Sequence, residues 1–354
     1  MCTDTAASQG IEIRGLYKLF GQRTEASLAR ARQGATKAEL LSTYSHVLGL
    51  RDINLQMPAG GIQVIMGLSG SGKSTLIRHI NRLIEPTAGQ VLVGGVDVLQ
   101  MKPADLQHFR RHCVSMVFQK FALLPNRTVL ENAVYGLEIQ GVAKAVQVER
   151  AMGWLARVGL QGFERHYPNQ LSGGMQQRVG LARALCNDAP ILLMDEAFSA
   201  LDPLIRMDMQ TILLDLQKEI KKTIVFITHD LDEALRIGDQ IAILRDGEVV
   251  QQGTRQEIVM TPADDYVARF VKEVNRGRVI QLEAIMRPLT GKERPTLTLP
   301  CDTLLEHAMK SLVEAGKDSA VVVDSRLKAV GHVTLQGIMS TMVTASAHSL
   351  KAVS

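Results

Sequence analysis

The sequence is poor in aromatic residues, which make up 4% of its 354 residues and include a single tryptophan. A protein that grips single-stranded nucleic acid by stacking needs several rings in series, so the composition argues against that class. No stretch reaches the roughly 18–20 apolar residues that a membrane-spanning helix needs. The opening residues Met1-Cys2-Thr3-Asp4-Thr5-Ala6 have neither a basic n-region nor an apolar h-region, so no export signal is expected. Cysteine is scarce. Cys2, Cys113, Cys186 and Cys301 form no C-x-x-C pair and have no metal-type spacing. Cys113 and Cys186 lie among apolar residues and read as small core fillers of a reducing, cytoplasmic protein. The net charge of +4 is too small to imply a polyanionic partner.

What is present is a hydrophobic fraction of 46%, enough for one large domain and a small one, or for two mid-sized domains. The sharpest chemical signal is Gly67-Leu68-Ser69-Gly70-Ser71-Gly72-Lys73-Ser74, followed by Thr75, which fits the phosphate-loop pattern G-x-x-x-x-G-K-[ST] without mismatch. The strand-like run Gln63–Met66 precedes it and the helical run Thr75–Leu83 follows. In such a loop glycines let backbone N–H groups curl around an anion, and the next helix adds the positive end of its dipole. Lys73 is placed to reach terminal phosphates, and Ser74 to bind the magnesium ion that bridges them.

Further along, continuous apolar runs alternate with helical segments, the pattern of an α/β domain with a largely parallel sheet. Ile191–Met194 ends in Asp195-Glu196, Thr223–Thr228 ends at His229, and Val114–Phe118 leads to Gln119. Strand ends are where such sheets bind ligands. Asp195 suits a magnesium ligand, and Glu196 suits a group that polarises an attacking water. Leu171-Ser172-Gly173-Gly174-Met175-Gln176-Gln177-Arg178 places a serine and two glycines at a helix start, a second anion-binding device. Between the strands Ile11–Phe20 and Leu50–Met57, residues 22–48 read as a polar helical insertion broken at Gly34, with the capping box Thr36–Glu39 restarting it.

Taken together, these motifs resemble the ATP-binding cassette (ABC) ATPases over residues 11–270, and the L-S-G-G-M-Q-Q-R run looks like their signature. The resemblance implies a P-loop NTPase core, with a RecA-like subdomain and a helical signature subdomain near 120–180, in a domain spanning 1–275. It also implies roles. Phe20, with Tyr17 as competitor, would stack on adenine, and Gly67 to Thr75 would hold ATP. Glu196, His229 and Gln119 would form the catalytic set, with Ser74, Gln119 and Asp195 on Mg2+. Leu171, Ser172, Gly173, Gly174 and Gln176 would act in trans on the ATP of a second copy. Ser199, Ala200, Leu201 and Asp202 match the D-loop. The implied assembly is a homodimer on integral-membrane permease subunits, at the cytoplasmic face of the inner membrane, served by an external substrate-binding protein.

Met66–Gly89, running through Asn81–Thr87, together with Met116–Pro125, Phe198–Arg206 and the helical insertion near 22–48, is similar to the ATPases of glycine betaine/proline importers, which drive uptake of quaternary amines. Residues 276–354 resemble a single or truncated cystathionine-β-synthase-like (CBS-like) α/β module, with Gly337 standing where the acid that holds a ribose is expected. In these importers such modules are linked to ionic-strength sensing. Two alternatives stay open. One is the same ATPase role for an amino acid such as histidine. The other is a soluble mechanical ATPase, whose relatives carry a long coiled-coil insertion or two cassettes, and this sequence has neither.

Overall fold

A computed structural model describes residues 9–119, 121–289 and 297–343. The chain divides into two compact units that part between Gln252 and Gly253, ahead of the break expected near 275. In the first unit, β1 (Ile11–Phe20), β2 (Val47–Met57), β4 (Ala88–Val93) and β5 (Val96–Asp97) form an antiparallel sheet ordered β2-β1-β4-β5, while β3 (Ile62–Met66) belongs to the other sheet. Helices α1 (Glu25–Arg32) and α2 (Lys37–Tyr44) interrupt β1 and β2, as the polar insertion predicted. Gly34 lies between them, and the Thr36–Glu39 capping box starts α2 by satisfying two otherwise orphaned N–H groups.

The second sheet has the order β10-β9-β3-β8-β7-β6, with β6 (Val114–Val117), β7 (Ile191–Asp195), β8 (Thr223–Thr228), β9 (Gln240–Arg245) and β10 (Glu248–Gly253). The pairs β6–β7, β7–β8, β3–β8 and β3–β9 are parallel. All residues of β3, β7 and β8 are buried, which is why they read as unbroken apolar runs rather than alternating ones. Helix α3 (Lys73–Ile80) lies between the two sheets. Its Leu76, Ile77 and Ile80 share one core with Ile53 and Leu55 of β2 and with Leu193, Val225 and Ile227. This packing fixes the start of α3, and so the loop before it, against the ends of the parallel strands.

Helix α4 (Pro103–His112) precedes β6. Between β6 and β7 come α5 (Val129–Gln140), α6 (Lys144–Arg157) and α7 (Gly173–Cys186), which pack on one another as the helical part. Helices α8 (Pro203–Ile220) and α9 (Leu231–Ile237) follow β7 and β8. Cys186 is the buried filler expected, and burial pushes its thiol up to about 12. Cys113 is buried as well.

The second unit opens with α10 (Arg255–Met260) and α11 (Asp265–Val271). It then runs β11 (Thr298–Pro300), α12 (Leu305–Glu314), β12 (Ser319–Val323), β13 (Ala329–Thr334) and α13 (Leu335–Val343). Its sheet is ordered β11-β12-β13, with β11 parallel and β13 antiparallel to β12. This is the small α/β module expected. Residues 290–296 of the predicted Pro288–Pro300 loop lie outside the described residues, as does everything past 343.

His79 offers a test of the α3 packing. Its ring is fully buried, Nδ1 donates to the Thr75 carbonyl at 2.6 Å, and Nε2 has no partner among the described residues. Burial therefore lowers its pKa to about 4, because protonating Nε2 would create an unpaired internal charge. Stability is full above the unfolded-state value of about 6.5 and falls as pH drops toward 4, by about 3 kcal/mol in all. Urea unfolding of His79→Gln should show a shallower loss across this window than the parent chain. Equal slopes would contradict the assignment.

Candidate functional site

The loop Gly67–Ser74 leaves β3 at its carboxyl end and enters α3. At Gly67 a Cβ would lie 2.3 Å from the Leu244 carbonyl oxygen. Gly72 has φ 103°, and a Cβ there would lie 2.8 Å from the Gly49 carbonyl oxygen. Both positions require glycine, and together they fold the loop's N–H groups inward. The Ser71 hydroxyl is buried and has no partner among the described residues, as suits a group that receives an oxyanion. Lys73 is only 4% exposed, and its ammonium donates to the Gly67 and Leu68 carbonyls at 2.8 and 3.0 Å. Burial lowers its pKa, and the nearby Glu196 and Asp195 carboxylates oppose that shift. A cradle with an unpartnered hydroxyl and a desolvated ammonium fits a nucleotide phosphate chain.

Asp195 closes β7 and is buried. One carboxylate oxygen accepts from the Ser74 hydroxyl at 2.7 Å, the other from Arg78 at 3.2 Å. Ser74 and Arg78 are four residues apart on α3 and so share a face. The sequence reading missed Arg78, although that spacing was the available signal. The Ser74 and Asp195 oxygens suit Mg2+, which binds hard oxygen donors and takes its remaining ligands from water and phosphate.

Glu196 has φ 46°, a left-handed conformation at the end of β7. Three predicted residues meet it. Gln119 donates to its Oε2 at 2.9 Å, His229 Nδ1 lies 3.8 Å from the same oxygen, and Lys73 Nζ lies 3.8 Å from Oε1. This bond uses the Gln119 amide nitrogen, whereas the atom expected to ligate the metal is its side-chain oxygen.

Phe20 ends β1 with 40% exposure, pairs with Val47, and lies against Gly49, whose carbonyl also abuts Gly72. The ring is therefore next to the phosphate loop. The competitor Tyr17 is buried with Leu19, Ala31, Leu40 and Leu48, and so offers no free face. The α1–α2 insertion is tied to this region. Arg51 donates to the Ala35 carbonyl, Lys37 pairs with Asp246 at 3.6 Å, and Gly247 N–H donates to the Ser71 carbonyl at 3.0 Å.

The signature residues lie apart from this cluster. Ser172 caps α7 by accepting from Met175 N–H at 3.3 Å, and the Gln176 amide donates to the Pro168 and Leu171 carbonyls. Among the described residues none of these bonds reaches the phosphate loop. Ser199 returns to Glu196, its hydroxyl donating to the Glu196 carbonyl at 2.9 Å, and Asp202 caps α8. Phe198 anchors this turn in the core, 5.4 Å from Phe226 of β8.

Because Gly72 combines a positive φ with close backbone contact, Gly72→Ala should weaken nucleotide binding at least about tenfold in a fluorescent-ATP titration. Unchanged affinity would contradict the cradle described here.

Residues 50–199 match the family model described as ABC transporter. The glycine betaine transport ATP-binding protein OpuAA of Bacillus subtilis is 50% identical over 321 residues, covering 91% of this chain and 75% of that one. The glycine betaine/proline betaine transport system ATP-binding protein ProV of Escherichia coli is 46% identical, covering 94% and 82%. The trimethylamine N-oxide transport system ATP-binding protein TmoW of Pelagibacter ubique is 40% identical, covering 94% and 97%. Among solved structures, the dimeric bacterial ABC transporter cassette MJ0796 matches at 33% identity with a TM-score of 0.59, covering 69% of this chain and 98% of that one. With relatives this similar over most of both lengths, the chain belongs to the ATP-binding, ATP-hydrolysing proteins of ABC transporters.

Proposed function

We propose that two copies of this chain, docked on permease subunits at the cytoplasmic face of a membrane, power an importer of small quaternary amines such as glycine betaine. One observation carries the energetic half of this reading. Four strand ends deliver Lys73, Gln119, His229 and the Asp195–Glu196 pair to one place. Glu196 acts as the base that polarises the attacking water, with His229 and Gln119 orienting it. Phe20 carries the adenine, and Lys73 and Ser71 hold phosphate oxygens. Ser74 and Asp195, with the Gln119 side-chain oxygen, would hold Mg2+, which when bound would supply positive charge against the phosphates. The signature of one copy, Leu171–Gly174 with Gln176, closes over the nucleotide of the other. The separation of the two anion devices within one chain supports this, as does the dimeric cassette among the similar structures.

The cargo reading rests on the relatives. OpuAA and ProV favour glycine betaine. TmoW favours a second reading, trimethylamine N-oxide, because this chain covers nearly its whole length. Both cargoes are small methylated amines. No helix among the described residues is long and apolar enough to cross a membrane, so the pathway itself belongs to the permease. An external binding protein would deliver the cargo. Within the second unit, the β-α-β-β-α order supports a CBS-like role in tuning the response to ionic strength.

Uptake of labelled glycine betaine, trimethylamine N-oxide, choline, proline and histidine in a deletion strain tests the cargo. Loss of betaine uptake is expected, and loss of histidine uptake alone would overturn the reading. For the shared site, Ser172→Arg should keep ATP binding within about twofold and lower turnover at least about a hundredfold. Normal hydrolysis in that variant would refute completion of the site in trans.

A further inference from the structure

The seam between α8 and α9 is built from polar side chains. Arg206, in the first turn of α8, donates to Asp230 Oδ2 at 3.3 Å and to the Leu201 carbonyl at 3.0 Å. One turn later Gln210 donates to Glu233 at 3.0 Å, and Arg236 donates to Gln210 Oε1 at 3.0 Å and to Thr211 at 2.9 Å. Gln210 and Glu233 are buried, so the seam has exchanged water for these bonds. An apolar seam would tolerate small slips. Directional, charge-assisted bonds hold one register.

Arg206 occupies a special place in this seam. The turn Ser199–Asp202 leads away from Glu196, and Arg206 holds that turn through the Leu201 carbonyl. The same guanidinium holds Asp230, the residue after His229. Asp230 in turn fixes the start of α9, accepting from Glu233 N–H at 3.0 Å, and its own N–H donates to Thr228 at 3.0 Å. His229 Nδ1 stands 3.8 Å from Glu196, too far for a hydrogen bond, so a shift below about 1 Å would close the contact. Arg206 Nε is buried and has no partner among the described residues, so the group keeps a donor for another arrangement of the two turns.

We propose that Arg206 is a positioning residue that locks the Ser199–Asp202 turn to the His229–Asp230 turn, so that motion of the first carries His229 onto Glu196. This rests on the roles given above to His229 and Glu196. A lysine keeps the charge but cannot hold Asp230 and the Leu201 carbonyl at once. Asparagine at 230 still caps α9 but loses the charged partner.

The test measures MgATP turnover and ATP binding of the full chain, with activity expressed per folded molecule. Arg206→Ala and Asp230→Asn should each lower kcat about tenfold and change KM for ATP less than about twofold. The double variant should be no slower than either single one, because both remove the same link. Arg206→Lys should stay within about threefold of Arg206→Ala. A kcat within about twofold of the parent in Arg206→Ala, or losses that multiply in the double variant, would overturn the inference. His229→Ala separates the two readings. If it abolishes turnover while Arg206→Ala does not, the site stands and the link falls. If it turns over normally, both fall.

Discussion

The carboxylate of Glu196 is the point on which the rest of the first unit depends. Lys73, Gln119 and His229 come from three separate strand ends, and each is placed within 3.8 Å of it. Its left-handed backbone is strained for a residue with a Cβ. The two adjacent acids divide their partners, Asp195 meeting Ser74 and Arg78 and Glu196 meeting the other three. Within the site cations and carboxylates pair, Lys73 with Glu196 and Arg78 with Asp195. A phosphate chain with its magnesium would exchange these pairings for its own, at little cost in buried charge.

The two sheets make this convergence possible. Parallel strands put their carboxyl ends on one edge, and the buried face of α3 fixes the phosphate loop against that edge. The antiparallel sheet covers α3 from the other side and brings Phe20 in beside Gly49 and Gly72. The hairpin turn at Asp246-Gly247 joins this arrangement to the insertion, through the Gly247 bond to Ser71 and the Lys37–Asp246 pair. The insertion is thus coupled to the rim of the nucleotide site as well as to β1 and β2.

Much of the site was legible in the sequence because strand ends and glycine loops have local signatures. The parallel strands announced themselves as unbroken apolar runs, and each was followed by its functional residue. The Thr36–Glu39 capping box located α2 for the same reason: the bonds involved span three residues. What was not legible depends on long-range proximity. The burial of Tyr17 in the small cluster with Leu40 and Leu48, beside an exposed Phe20, could not be read from their spacing. The Arg78–Asp195 and Arg206–Asp230 contacts join residues far apart along the chain, and no periodicity reports them. Gln119 follows its strand as expected, but the bond from its amide nitrogen to Glu196 joins residues 77 positions apart and could not be read from spacing.

The central claim is that each chain holds half of two ATP sites, with Ser172–Gly174 of one copy closing the cradle of the other. Light scattering of the full Glu196→Gln chain, titrated with MgATP, tests it most directly. The account predicts a change from one copy to two as nucleotide saturates, and no such change when Ser172→Arg is added. A mass that stays at one copy with nucleotide bound, or a dimer indifferent to Ser172→Arg, would contradict it.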